Sequence, residues 1–304
     1  MSTKKTLPLW RSLLFVPVNV ERFVEKAHLR GADGIQLDLE DSVPESEKDA
    51  ARRLVPEVAE RVARGGADVV VRINRPLSMA VRDMEASICE RVTALALPKV
   101  QSAEHVQLLA EHASEIEARS GLPEGHTRFI VMVETGDAFF RMAEIAKADP
   151  RIVAMTLGGE DFATSVGMAP EPEGLLMPKQ AMIFAATAAS LLPMGFVGSI
   201  AGFADIEGFR AIVRRSRTLG FRGASCIHPN QVAVLNEEFR PPAQELAHAR
   251  KIIDAYDLAK AEGRGSVSVD GRMIDVPIVQ RAEALIAWEE AIRAREARTE
   301  AARG

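Results

Sequence analysis

Short, almost wholly apolar runs recur along this chain of 304 residues, and most are followed by stretches whose apolar positions return at i, i+3 and i+4. The first run is SLLFVP, Ser12 to Pro17, closed by proline and Asn19; Val20 to Arg30 then carries helical spacing. The second, GIQLDLED, is opened by Gly34 and ends in a cluster of acids. The third, VVVRIN (Val69 to Asn74), cannot continue past Pro76, and the fourth is ALALPKV, Ala94 to Val100. RFIVMVETG runs into Glu134 and Gly136, and RIVAMTLGGED into two glycines, which permit a tight exit, and Asp161. The seventh run, GFVGSIAG (Gly195 to Gly202), has interior glycines and reads as a strand or as a loop. The eighth, GASCIHP, ends on Pro229. Ser102 to Ser120 and Lys179 to Leu192 are typical of the amphipathic stretches between the runs.

Near-continuous apolar strands separated by amphipathic helices are what a parallel sheet covered by helices requires. Eight such units predict an α/β fold, a TIM (β/α)₈ barrel over residues 1–240. Asp38, Glu40, Arg72, Lys99, Glu134, Asp161 and His228 all fall at or just beyond the end of a run, which points to an active site on the C-terminal face of the barrel. Past Pro241 and Pro242 the pattern changes. Ala243 to Ala261 reads as a long helix, Asp270-Gly271 between alternating residues signals a hairpin, and a last helix runs from Pro277 to about Arg298, its charged tail expected to fray. Residues 241–304 thus form a helix-hairpin-helix extension, expected to serve assembly and closure of the site.

Composition narrows the function. A hydrophobic share of 47% with 27% charged residues is ordinary for a globular protein, and a net charge of −5 leaves no basic footprint for nucleic acid. Apolar stretches such as Ile130 to Val133 and Ala185 to Leu192 are too short to span a bilayer, and the first residues lack a secretory pattern, so the cytoplasm is the expected compartment with no membrane partner. Cys89 and Cys226 give neither a disulfide framework nor metal-ligand spacing.

Glu134 and Asp161 are the sharpest pair. They leave adjacent strands, which lie about 4.8 Å apart in a sheet, so both can reach one ion. Two carboxylates without histidine partners suit a hard cation, Mg²⁺ or alternatively Mn²⁺, and disfavour zinc. The competing reading is that each acid caps the helix that follows it. Arg72, among apolar neighbours in VVVRIN, must find an anion: an internal partner such as Asp38 or Glu40, a substrate carboxylate or enolate oxygen, or both. Lys99 can join it or face water. Asp38, Glu40 and Asp41 repel one another unless a cation or arginine compensates, which suits a supporting shell around metal and Arg72; helix capping by Asp41 or Ser42 is the alternative. His228, in CIHPNQ, has no serine or cysteine nucleophile pattern beside it.

Taken in order, RSLLFVP, DLEDSV, VRIN, LPKV, VETG, GGEDFATSVG and IHPNQV resemble the citrate lyase beta-chain-like family of the HpcH/HpaI aldolase superfamily, from about Arg11 to Ala287. The resemblance implies a Mg²⁺-dependent barrel, trimeric or hexameric, that makes or breaks a carbon–carbon bond between a 2-oxo acid and an acyl-CoA enolate. It implies that Glu134 and Asp161 ligate the metal and, with Arg72, bind substrate. Asp275 of GRMIDVP matches a C-terminal aspartate that in relatives acts as acid or base in a neighbouring subunit's site. The expected activity is cleavage of a β-hydroxyacyl-CoA such as malyl- or citramalyl-CoA. The alternatives are a class II aldolase working without CoA, a malyl-CoA thioesterase, and a non-catalytic subunit of a larger lyase.

Overall fold

The computed structural model describes residues 7–198 and 205–303. The strands β1 (Ser12–Pro17), β2 (Gly34–Asp38), β3 (Asp68–Arg72), β4 (Val92–Leu97), β5 (Arg128–Val133), β6 (Ile152–Leu157), β7 (Leu192–Met194) and β8 (Ala224–Cys226) form one sheet. Helices α1 (Glu21–Ala27), α2 (Lys48–Ala63), α3 (Leu77–Ser87) and α4 (Ala103–Ser120) separate the first five strands. The short α5 (Gly136–Phe140) and α6 (Met142–Ile145) precede β6. Next come α7 (Gly159–Val166), α8 (Pro172–Ala188) and α9 (Ile206–Leu219), and α10 (Pro229–Glu238) follows β8.

Every pairing in this sheet is parallel, in the order β7-β6-β5-β4-β3-β2-β1-β8. Its two ends meet: Met194 bridges Gly223, Gly195 N–H donates to Gly223 O at 2.8 Å, and Arg222 N–H to Pro193 O at 3.0 Å. A Cβ on Gly223 would sit 1.7 Å from the carbonyl oxygen of Trp10, so only glycine fits where the sheet curls shut. The result is a nearly closed α/β barrel of the TIM type.

The two faces of each strand explain why the runs look apolar throughout. Ile35, Leu37, Val69, Val71, Leu95, Leu97, Val131 and Val133 join helix residues such as Val55, Val58 and Val106 in one buried cluster outside the barrel. The alternate residues Gln36, Asp38, Arg72 and Glu134 are also buried, though polar. Side chains alternate along a strand, so these belong to its other, inward face. Buried polar groups must be partnered, and the partners they find make the site.

The seventh strand differs from expectation. It is Leu192–Met194, and the helix before it ends at Ala188 and does not continue to Leu192. Gly195 at φ 134° and Gly198 at φ 155° turn the chain out of the sheet where GFVGSIAG reads as a run, and residues 199–202 of that run lie outside the described residues. Of the two readings open for that run, strand or loop, the positive-φ glycines favour the loop over its described residues, Gly195 to Gly198.

The chain divides after Phe239 into a second compact unit, Arg240–Ala302. It holds α11 (Ala243–Ala261), an antiparallel pair β9 (Val267–Val269) and β10 (Arg272–Ile274), and α12 (Val276–Arg303). Asp270 at φ 53° and Gly271 at φ 76° make the two-residue turn. Ala249, Ile252, Val269, Ile274 and Val279 form its small core. The tail expected to fray is helical to Arg303: its Ala, Glu and Arg are strong helix formers, and Arg240 Nη1 pairs with Glu296 Oε2 at 3.0 Å. No described helix is long and apolar enough to cross a membrane.

Candidate active site at the C-terminal ends of the strands

Asp38 and Arg72 are register partners at the ends of β2 and β3. Arg72 Nε donates to Asp38 Oδ1 at 2.7 Å and Nη2 to Oδ2 at 2.8 Å, while Nη1 lies 2.8 Å from Glu40 Oε2 and 3.3 Å from Asp41 Oδ2. The guanidinium also stacks 4.8 Å from the centre of the Phe15 ring. Burial alone would raise the Asp38 carboxyl, but the hydrogen bonds and charge of Arg72, with Ser42 Oγ and the Glu40 N–H, hold it below its ordinary value. Burial would likewise lower Arg72, yet its three acids raise it further. The internal ion pair is therefore present, and Arg72 also lines a cavity of about 780 Å³. Neither Asp41 nor Ser42 caps the turn that follows; Pro44 stands at that position.

Behind this cluster lies a buried network that the sequence did not reveal. Asp83 of α3 accepts from Arg52 Nε, Asn74 N–H and Asn74 Nδ2, each at 2.7 Å. Lys48 Nζ donates to Asn74 Oδ1 at 2.7 Å and to the carbonyl of Glu40 at 2.8 Å. Both strand exits are thus tied together.

Across the mouth, Lys99 follows β4 with φ 49°, a left-handed conformation unfavourable for a residue with a Cβ. That turn aims its N–H at Glu134 Oε2, 2.6 Å away, and its ammonium reaches Glu40 Oε1 at 2.7 Å and Asp161 Oδ1 at 3.9 Å. Glu134 is the first residue beyond β5 and is buried. It does not cap α5, because Thr135 does so, accepting from Ala138 N–H. Asp161 lies in the first turn of α7 and not at a strand tip, and α7 is entered through Gly158 with no side-chain cap. Gly158 has an ordinary φ of −72°, so it is required by space: a Cβ there would lie 2.5 Å from Glu134 Oε1.

Burial, then the neighbouring Asp161 and Glu40 carboxylates, push Glu134 up to about 7 against the opposing Lys99 N–H. A buried carboxylate destabilised by adjoining acids is what a divalent cation compensates. The donor set is carboxylate oxygen alone, so the residues present fit Mg²⁺, with its remaining positions open to water or substrate.

Two cavities share Asp161. One of about 780 Å³ has largely apolar walls, including Leu14, Phe15, Val16 and Met132, together with Arg72 and His228. A smaller one of about 330 Å³ is bounded by Glu134, Asp161, Lys99, Arg75 and hydroxyl side chains. His228 opens α10: its Nδ1 accepts from Asn230 N–H at 3.2 Å, and Gln231 Oε1 accepts from His228 N–H at 3.1 Å.

Lys179 on α8 was missed in the sequence. Its ammonium donates to the carbonyls of Phe196 at 2.6 Å and Gly198 at 2.9 Å on the wall of the larger cavity, and burial pushes it down to about 8. The available signal was one lysine on the buried face of an apolar helix. Asp275 belongs to the second unit, where its carbonyl accepts from Ile278 and Val279 N–H at the start of α12.

Comparison with known proteins places the chain among the following relatives. The sequence profile of HpcH/HpaI aldolase/citrate lyase matches residues 11–229. The citrate lyase subunit beta of Leuconostoc mesenteroides subsp. cremoris is 34% identical over 278 residues, covering 90% of this chain and 91% of that one. The L-malyl-CoA/beta-methylmalyl-CoA lyase of Rhodobacter capsulatus is 35% identical over 303 residues, covering 92% and 94%. The crystal structure of CitE from Mycobacterium tuberculosis in complex with magnesium, acetoacetate and coenzyme A is similar with a TM-score of 0.72 and 29% identity, over 92% of this chain and 97% of that one.

Proposed function

Because the chain belongs to the HpcH/HpaI aldolase/citrate lyase family, a family of lyases, we propose that it cleaves a β-hydroxyacyl thioester of coenzyme A, such as malyl-CoA or citramalyl-CoA, with Mg²⁺. The products are a 2-oxo acid and an acyl-CoA. The observation that carries this reading is the meeting of Glu134 and Asp161 on one small cavity bounded by charged and hydroxyl-bearing residues, next to a large, mainly apolar one that Arg72 lines.

Retro-aldol cleavage must take the proton from the hydroxyl that becomes the carbonyl, release it to solvent as the carbon–carbon bond breaks, and stabilise the charge left on the departing acyl carbon until that carbon is protonated in turn. Glu134 and Asp161 would hold Mg²⁺, which when bound would supply Lewis-acid polarisation to the carbon–oxygen bond being converted. The Lys99 N–H and the lack of a Cβ on Gly158 fix the Glu134 carboxylate in place. Arg72, oriented by Asp38 and Glu40, presents a fixed positive charge to the larger cavity, where the enolate of the acyl group would develop. By its match to the family pattern, Asp275 gives a proton to that carbon on cleavage and takes it in the condensing direction. The reading includes a homo-oligomer, trimer or hexamer, which light scattering tests.

The deciding assay incubates the purified protein with Mg²⁺ and a panel of malyl-, methylmalyl- and citramalyl-CoA, scoring 2-oxo acid and free thiol separately. The expected result is 2-oxo acid without free thiol. Thiol without 2-oxo acid identifies a thioesterase, and neither product from any thioester defeats the reading.

A further inference from the structure

Lys179 is a buried cation without an acid. Its ammonium donates to the carbonyls of Phe196 at 2.6 Å and Gly198 at 2.9 Å, and among the described residues no carboxylate pairs with it. The lysines near the strand ends are satisfied differently. Lys99 lies 2.7 Å from Glu40, and Lys48 engages three acceptors, the carbonyls of Leu39 and Glu40 and Asn74 Oδ1. An ammonium has three N–H donors and a neutral amine has two, so the two carbonyls around Lys179 match the amine in full and the ammonium only in part. In the amine the lone pair takes the one tetrahedral direction left at the nitrogen.

The nitrogen also borders open space. Lys179, Phe196, Gly198 and Gly159 all line the cavity of about 780 Å³. Gly159, the first residue of α7, leaves room beside the amine, since a Cβ there would lie 3.5 Å from Nζ. Burial pushes the ammonium down to about 8 against the opposing charge of Glu160, so that on the order of one tenth is free amine at pH 7. We propose that Lys179 is a nucleophilic amine that captures the carbonyl group of a small aldehyde or 2-oxo acid as an imine. Its lone pair adds to the carbonyl carbon, a proton passes from nitrogen to oxygen to give the carbinolamine, and loss of water leaves a carbon–nitrogen double bond. No metal and no thioester takes part, so the assignment stands apart from the lyase reading.

Reductive trapping tests it without relying on turnover. The full-length protein is incubated at pH 7 with a limiting amount of glyoxylate, an aldehyde that is also a 2-oxo acid. Cyanoborohydride reduces any imine to a stable carboxymethyl amine, and peptide mapping by mass spectrometry locates the label. Lys179 is expected to be labelled about tenfold or more faster than the exposed Lys26 and Lys147, since a lysine of ordinary basicity is almost wholly protonated at that pH. Its rate should level off above about pH 8, while labelling of the exposed lysines continues to rise. Lys179→Arg keeps donors for both carbonyls but forms no imine, so the fast label should vanish from a variant that circular dichroism shows to be folded. Labelling of Lys179 no faster than of the exposed lysines, or a rate that climbs in step with theirs, would overturn the assignment in the unsubstituted protein alone. A fast label that persists in Lys179→Arg would overturn it as well, by placing the reactive amine elsewhere.

Discussion

The main-chain N–H of Lys99 donates to Oε2 of Glu134 at 2.6 Å, and Lys99 adopts φ 49° to make that bond. A left-handed conformation costs a residue with a Cβ about 1–2 kcal/mol. Lys99→Gly keeps the N–H and removes the strain, whereas Lys99→Ala keeps the strain; both lose the ammonium. The glycine variant should therefore be the more stable of the two, by roughly 1 kcal/mol in denaturant titration. Equal midpoints with equal slopes would show that the turn is not held in this conformation.

Gly158→Ala makes a sharper test of how Glu134 is placed. At φ −72° and ψ 103° the backbone accepts alanine, but the added Cβ would lie 2.5 Å from Glu134 Oε1. The carboxylate must move while the fold remains. Mg²⁺ affinity should fall about tenfold or more, the loss of roughly one well-placed ligand interaction, with an unchanged circular dichroism spectrum. Undiminished affinity in titration calorimetry would remove Glu134 as a ligand.

The glutamate also sets a pH dependence. Its carboxyl, raised by burial and by the Asp161 and Glu40 carboxylates to about 7, is protonated below that pH and must lose the proton to bind a cation. Apparent Mg²⁺ affinity should weaken as pH falls through about 7, and binding near pH 6 should release a proton. Titrations in two buffers of different ionisation enthalpy would show that proton as a difference in heat. In the metal-free protein the sign is that of any raised group. The stability Glu134 contributes is full below its ordinary value of 4.5 and is lost as pH rises through about 7.

The ease of reading the two halves of the site differs for a physical reason. Arg72 and the acids of DLED could be paired from sequence because neighbouring parallel strands place their ends side by side, and the register Asp38 to Arg72 does so. The part of Lys99 that holds Glu134 is an N–H, which every residue but proline has, so residue type carried no sign of it. Lys179 was hidden because helical periodicity marks apolar faces and says little of one lysine embedded in them. The seventh strand, Leu192–Met194, was hard to see because it follows α8 closely with little polar punctuation, and the GFVG beyond it could be read as strand or loop, its positive-φ glycines making it a loop.

Arg72→Lys separates charge from shape. Lysine keeps the positive charge but cannot meet both Asp38 oxygens and Glu40 as the guanidinium fork does. Stability should fall by about 1–3 kcal/mol, the scale of charge-assisted hydrogen bonds left unmade. If Arg72 also faces the acyl enolate, kcat should drop by more than KM rises. A variant that is destabilised yet turns over normally would confine Arg72 to holding the strand ends.

Asp275→Asn tests the proton-transfer group independently of the metal centre. The side chain keeps its size, and the structural contribution seen at Asp275 is made by its main-chain carbonyl to the N–H groups of Ile278 and Val279. The second unit should therefore fold as before, with an unchanged melting temperature. An amide can neither give nor take the proton at pH 7, so turnover should fall by at least about a hundredfold. Binding of Mg²⁺ and of a 2-oxo acid depends on Glu134 and Asp161 in this reading and should be unaffected in calorimetry. A variant that loses ligand binding together with turnover would place Asp275 in substrate binding, and one that keeps full turnover would leave it a residue of the hairpin alone.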